Sequence, residues 1–141
     1  MANTARKARP GENMRLVDAL GYRLPLAGVV SILHRGSGLV MFVLLPFIIW
    51  MFDTSVTSEI SYSQFTSVFT NGTGFLPGWF YKLVALALIW SYLHHLIAGV
   101  RHLWMDATHA VTKEFGRQSA IFTLVFSVAL TLVLGVKLFF F

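Results

Sequence analysis

The sequence predicts an all-α integral membrane protein with three transmembrane helices, and two of its features support that prediction. Of the 141 residues, 56% are hydrophobic and 12% are charged, about half the charged fraction of an ordinary soluble domain. Three stretches, 36–52, 83–100 and 118–136, contain no Asp, Glu, Lys or Arg. With its flanks, each stretch reaches the roughly 20 residues that a helix needs to cross the hydrocarbon core.

Residues 1–24 form a basic arm that holds five of the eleven basic residues. No Ala-x-Ala-type site precedes the first apolar stretch, so we expect the arm to be retained rather than cleaved as a secretory signal. The connection 53–81 has no Lys or Arg, whereas the connection 101–117 has three. The positive-inside rule then predicts a cytoplasmic N-terminus and a periplasmic C-terminus. This topology accounts for the net charge of +5 without a nucleic-acid partner.

The remaining residues form a single membrane domain, 25–141, without internal repeats, and its predicted spans are 29–52, 79–105 and 118–140. Pro46 predicts a kink in the first span, because proline lacks a backbone N–H. The connection after that span is rich in Ser, Thr and Gly, which predicts an irregular outer loop. Since three spans leave little polar mass for a soluble active site, we expect a subunit of a larger assembly. The chain has no cysteine, which excludes iron–sulfur ligands of its own.

The third span carries a stripe of small residues at intervals of four. Such a stripe lets another helix approach closely. We favour packing within this chain over an interface between subunits. The stripe consists of Ser119, Thr123, Ser127, Thr131 and Gly135.

The second span carries polar groups along one helical face. At about 100° per residue, they fall within roughly 40° of one direction. Ionisable groups are costly inside a bilayer, so this face marks a functional site. Its members are Ser91, His95, Gly99, His102, Asp106 and His109.

His95 and Gly99 form the most informative pair on that face. A neutral imidazole is a good axial ligand for haem iron, and a glycine one turn away lets a flat porphyrin approach the helix backbone. A hydrogen bond from His95 to a neighbouring helix explains the same spacing, so both interpretations stay open. His94 lies about 100° away and cannot bind the same iron from the same side. We interpret His94 and His109 as structural or solvated.

The cytoplasmic end of the second span carries Arg101, His102 and Asp106. They lie at the depth where haem propionates or lipid headgroups would be found. For Arg101 we favour an anchor that snorkels to lipid phosphate. Asp106 either orients the His102 imidazole or balances charge at the interface.

The first span begins with a second polar group, in which Ser31 and Arg35 share one helical face and Gly38 continues it. A hydroxyl and a guanidinium inside an apolar wall could hydrogen-bond a quinone carbonyl and stabilise negative charge on it. The alternative is an interfacial arginine beside a serine that bonds its own helix.

Two segments together resemble the cytochrome b membrane-anchor subunits of bacterial succinate dehydrogenases. They are 31–38, SILHRGSG, and 95–106, HLIAGVRHLWMD, on separate helices. Arg9-Pro10 and the segment 22–25, YRLP, also resemble that family, so the similarity covers nearly the whole chain.

The resemblance implies a b-type haem held in a heterodimeric helix bundle, with one axial histidine from this chain and one from a second small anchor subunit. His95 matches the axial position, while His34, Arg35 and His102 match positions near the haem propionates. Ser31 and Arg35 match the ubiquinone-binding serine and arginine. His94 departs from the pattern, because some relatives have a tyrosine there.

The resemblance further implies a complex in the bacterial inner membrane, in which a flavoprotein with FAD oxidises succinate and an iron–sulfur subunit passes the electrons to ubiquinone. This chain is then a subunit of an enzyme and not catalytic alone. Two alternatives are a haem-free structural anchor and the anchor of a quinol:fumarate reductase.

Overall fold

The computed structural model describes residues 24–140, and these residues form five helices without a strand. The basic arm, except Leu24, lies outside the described residues, and so do Arg9-Pro10 and Tyr22-Arg23 of the family-like segments. Three of the helices are long and apolar enough to cross a membrane, which confirms the predicted all-α, three-span fold. The helices are α1 (Leu26–Val43), α2 (Leu45–Val56), α3 (Glu59–Thr70), α4 (Gly78–Thr108) and α5 (Lys113–Phe140).

The first apolar segment is divided into α1 and α2 at Leu44, two residues before Pro46. Helical hydrogen bonds continue on both sides of the break, from the Leu44 N–H to the Val40 carbonyl and from the Ile48 N–H to the Leu44 carbonyl, each 3.0 Å. Pro46 has no N–H to contribute to this ladder. The interruption therefore lies where the sequence predicts a kink.

The outer connection is not a loop throughout, contrary to the expectation from its Ser and Thr content. Residues 59–70 of it form α3, which begins with a capping box. The Ser58 hydroxyl accepts from the Ser61 N–H at 3.1 Å, and the Ser61 hydroxyl accepts from the Ser58 N–H at 2.9 Å. Phe65 packs near Trp50 of α2, with ring centroids 6.4 Å apart. A turn follows α3, where Gly72 has a φ of 82°.

The three long helices pack around a core of small side chains. Val30, Ala98 and Ala120 are fully buried at its centre, one from each helix. The small residues of α5 face this core, and Thr123, Ser127, Thr131 and Gly135 are all buried. The approach is close, since a Cβ at Gly135 would lie 2.9 Å from Cδ1 of Leu86 in α4. Packing of the stripe within the chain is therefore confirmed.

Candidate functional site

Three imidazoles meet where α1 packs against α4. His34 comes from α1, whereas His95 and His102 lie two turns apart on one face of α4. The rings of His34 and His95 are stacked, with centroids 4.0 Å apart and planes 18° apart. The His102 ring lies 5.3 Å from that of His34 and is tilted by 59°. Helix packing thus joins two polar motifs that are distant in the sequence.

The Nδ1 atom of His95 is held by α1. It lies 3.0 Å from the His34 carbonyl oxygen and 3.3 Å from the Ser37 hydroxyl, which itself donates to that carbonyl at 2.8 Å. Because a carbonyl oxygen only accepts, Nδ1 must carry the ring hydrogen. The Nε2 atom then keeps its lone pair, and it makes no hydrogen bond to residues 24–140. This is the tautomer that a histidine needs in order to bind a metal through Nε2.

Two glycines lie against the histidine rings. A Cβ at Gly38 would lie 3.0 Å from Cε1 of His95, closer than ordinary van der Waals contact. A Cβ at Gly99 would lie 3.5 Å from Nε2 of His34. The sequence links Gly38 to the Ser31 and Arg35 face and Gly99 to a porphyrin. Within the described chain, their nearest neighbours are instead the two stacked imidazoles.

Ser31 and Arg35 lie on the flank of α1 beside the stacked rings. At 100° per residue, they are displaced from His34 around the helix by about 60° and about 100°. Ser31 is half-buried and Arg35 is exposed. Within residues 24–140, neither side chain forms a hydrogen bond, so both polar groups can serve a ligand or another subunit.

His94 faces a different helix from His95. It is fully buried, its ring stacks on Trp90 at 5.3 Å, and its Nδ1 lies 3.2 Å from the Ser127 hydroxyl of α5. His109 is exposed and ends α4 with a φ of 53°. His94 and His95 therefore have separate surroundings. His94 lies in the α4–α5 contact, and His95 lies in the α1–α4 contact.

The interpretation of Arg101 as a lipid-facing anchor is wrong for the described chain. Its side chain is 8% exposed and is directed to α5. Nε donates to the Ser119 hydroxyl at 2.9 Å, and Nη2 donates to the Gly116 carbonyl at 3.2 Å. Arg101 thus joins the end of α4 to the first turns of α5.

The imidazoles of His34, His95 and His102 fit haem better than a free metal ion. Among residues 24–140, no group of three or more His, Cys, Asp or Glu side chains could hold a metal ion. A free ion needs several protein ligands, whereas a porphyrin supplies four nitrogens and needs only axial ones. One histidine with a fixed tautomer is therefore the kind of contribution that a haem-binding chain makes.

Comparison with known proteins finds similarity to membrane subunits of one family. Residues 11–134 match the family described as succinate dehydrogenase/fumarate reductase transmembrane subunit. The chain is 30% identical to the succinate dehydrogenase cytochrome b556 subunit of Paracoccus denitrificans over 99 residues, covering 70% of this chain and 71% of the relative. It is 29% identical to the subunit of that name from Coxiella burnetii over 120 residues, covering 85% and 91% of the two chains. With the Rickettsia felis subunit of that name, it shares 25% identity over 115 residues, which cover 82% and 84%.

Proposed function

The chain belongs to the succinate dehydrogenase/fumarate reductase transmembrane subunit family, and from that premise we propose that it is the cytochrome b anchor of a succinate dehydrogenase in the bacterial inner membrane. It is a multi-pass membrane protein. Its relatives named succinate dehydrogenase cytochrome b556 subunit are subunits of an enzyme complex. In the proposed complex, the N-terminus is cytoplasmic and the C-terminus periplasmic, as the distribution of basic residues predicts.

His95 is the proposed axial ligand of a b-type haem that a second small anchor subunit completes with its own histidine. The observation that carries this proposal is the hydrogen bond from Nδ1 of His95 to the His34 carbonyl, since it leaves Nε2 to bind iron. In this proposal His34, Arg35 and His102 lie near the haem propionates, and the packing of the His34 ring against the rings of His95 and His102 supports that role for the two histidines. The haem supplies a one-electron redox centre when bound.

Ser31 and Arg35 are the proposed contribution to the ubiquinone site. The Ser31 hydroxyl and the Arg35 guanidinium are hydrogen-bond donors on one flank of α1, about 60° and about 100° around the helix from His34. Such donors bind a quinone carbonyl, orient it and stabilise negative charge as it is reduced. In this proposal the remaining wall comes from partner chains, and electrons arrive from the FAD flavoprotein through the iron–sulfur subunit.

A visible spectrum of the purified complex tests the proposal. We expect a sharp reduced band of b-type haem in the wild-type complex, and we expect His95→Leu to lower or abolish it, because one axial ligand is lost. His94→Ala is the matched control, since it alters the adjacent imidazole, which contacts α5. A complex without haem would support the haem-free structural anchor, and haem loss in His94→Ala alone would reassign the ligand.

The family description also names fumarate reductases, which favours one alternative of the same architecture. In a quinol:fumarate reductase, the anchor passes electrons in the opposite direction. Comparing succinate:ubiquinone and quinol:fumarate activities of the purified complex separates the two functions.

A further inference from the structure

The Ser37 side chain occupies an unusual position between the two motifs. It is 0% exposed, and Val30 is the only other buried residue of α1. Its hydroxyl lies 2.8 Å from the His34 carbonyl and 3.3 Å from Nδ1 of His95, and those two atoms are 3.0 Å apart. The three polar atoms therefore form a closed triangle at the α1–α4 contact.

A serine that bonds a carbonyl of its own helix is common, and this bond alone would not indicate a role. Ser67 of α3, for example, donates to the Gln64 carbonyl at 2.7 Å. Ser37 differs because the carbonyl that it bonds is also the acceptor for the His95 ring. Its hydroxyl can donate to that carbonyl and at the same time accept from the Nδ1–H.

The stacking of His34 on His95 leaves one motion of the His95 ring poorly restrained. The His95 imidazole turns about its Cα–Cβ and Cβ–Cγ bonds, and stacking resists tilting of the ring more than sliding, so a small turn that slides one ring over the other would change the direction of Nε2. A hydrogen bond to one acceptor limits this rotation, and a second acceptor beside it narrows the range further. The Ser37 hydroxyl is placed as that second acceptor.

We propose that Ser37 is a positioning residue for the axial histidine, because its hydroxyl and the His34 carbonyl together fix the direction of His95 Nε2. This inference rests on the proposed haem-binding function. Ser37 touches neither haem nor quinone in this role and acts only through His95. Sequence spacing does not single it out, since Ser37 is one of two serines in the segment 31–38.

The test measures how fast the axial histidine leaves the iron. A ferrous haem with two axial ligands binds carbon monoxide only after one of them dissociates, so the rate of carbon monoxide binding to the dithionite-reduced complex reports that step. We expect Ser37→Ala to bind carbon monoxide about fivefold faster, the factor for one lost hydrogen bond. We expect Ser37→Thr, which keeps the hydroxyl, to return the rate towards the wild-type value.

Ser127→Ala is the matched control. Ser127 is also 0% exposed and bonds a carbonyl of its own helix, but its hydroxyl lies 3.2 Å from Nδ1 of His94 and not beside His95. We expect its removal to leave the rate unchanged, so an effect of Ser37→Ala cannot be a general result of replacing a buried serine near the site.

A rate for Ser37→Ala within twofold of the wild-type rate would overturn the inference, as would equal acceleration in Ser127→Ala. If Ser37→Ala does not assemble, Ser37→Cys replaces it, because a thiol has similar size but hydrogen-bonds weakly. Ser37→Cys must then bind carbon monoxide about fivefold faster than the wild-type complex. A wild-type complex without haem would instead contradict the proposed function, so the two failures are distinguishable.

Discussion

Gly38→Ala is the sharpest test of the histidine cluster, because the change adds one methyl group at a known contact. The new Cβ would lie 3.0 Å from Cε1 and 3.4 Å from Nδ1 of His95, whereas ordinary van der Waals contact begins near 3.4 Å. The imidazole must therefore move by a few tenths of an ångström. The bond between Nδ1 and the His34 carbonyl, 3.0 Å long, restrains the same ring and would be distorted.

The expected magnitude follows from the cost of overpacking. Adding a methyl group to a well-packed contact typically costs about 1–3 kcal/mol. Since 1.4 kcal/mol is a factor of ten, haem retention should weaken by about five- to 150-fold. We expect the complex to assemble, because the added group meets one side chain and no backbone atom of α4.

Haem transfer to an excess of apomyoglobin measures this effect in the purified complex. The rate of haem loss should rise in Gly38→Ala by the factor given above. Gly36→Ala is the control, because it makes the same change two residues away on α1, where a Cβ meets nothing within 4 Å. Equal rates of haem loss in the two variants would refute the packing of His95 against Gly38.

Three further predictions concern the quinone residues, the α4–α5 contact and the topology. Ser31→Ala and Arg35→Ala should lower ubiquinone reduction by about five- to 150-fold, the cost of a lost hydrogen bond in a dry pocket, while electron transfer from succinate to a soluble artificial acceptor continues. Normal quinone reduction in both assembled variants would place the quinone elsewhere. Arg101→Lys should lower the free energy of unfolding of the complex by about 1–3 kcal/mol, because lysine cannot keep both hydrogen bonds to α5. Unchanged stability would indicate a charge that is anchored to lipid. A reporter fused after Phe141 should be periplasmic and one inserted near Thr112 cytoplasmic, and the reverse pattern would contradict the three-span orientation.

The local sequence was sufficient to predict the three spans and the polar face of α4. Length and hydropathy decide whether a helix can cross a bilayer, and both are properties of a short segment. Helical periodicity likewise places His95 and His102 on one face, since they are seven residues apart. The family resemblance also needed only the sequence, because its two motifs are continuous segments on α1 and α4.

The outer connection shows where composition misleads. Its many Ser and Thr residues have low helix propensity, which predicted an irregular segment. The structure forms α3 there because the Ser58 and Ser61 capping box starts a helix and Phe65 packs near Trp50. The contact between Phe65 and Trp50 joins two helices, so the helix propensity of the connection alone could not reveal it.

Only the tertiary structure decided what each polar side chain meets. Periodicity gives the direction of a residue around its own helix, but the neighbour in that direction depends on how the helices pack. For this reason the sequence could not tell that Arg101 bonds α5 rather than lipid, or that His94 and His95 contact different helices. Ser37 was missed for the same reason, because its only distinguishing feature is a carbonyl that it shares with a histidine from another helix.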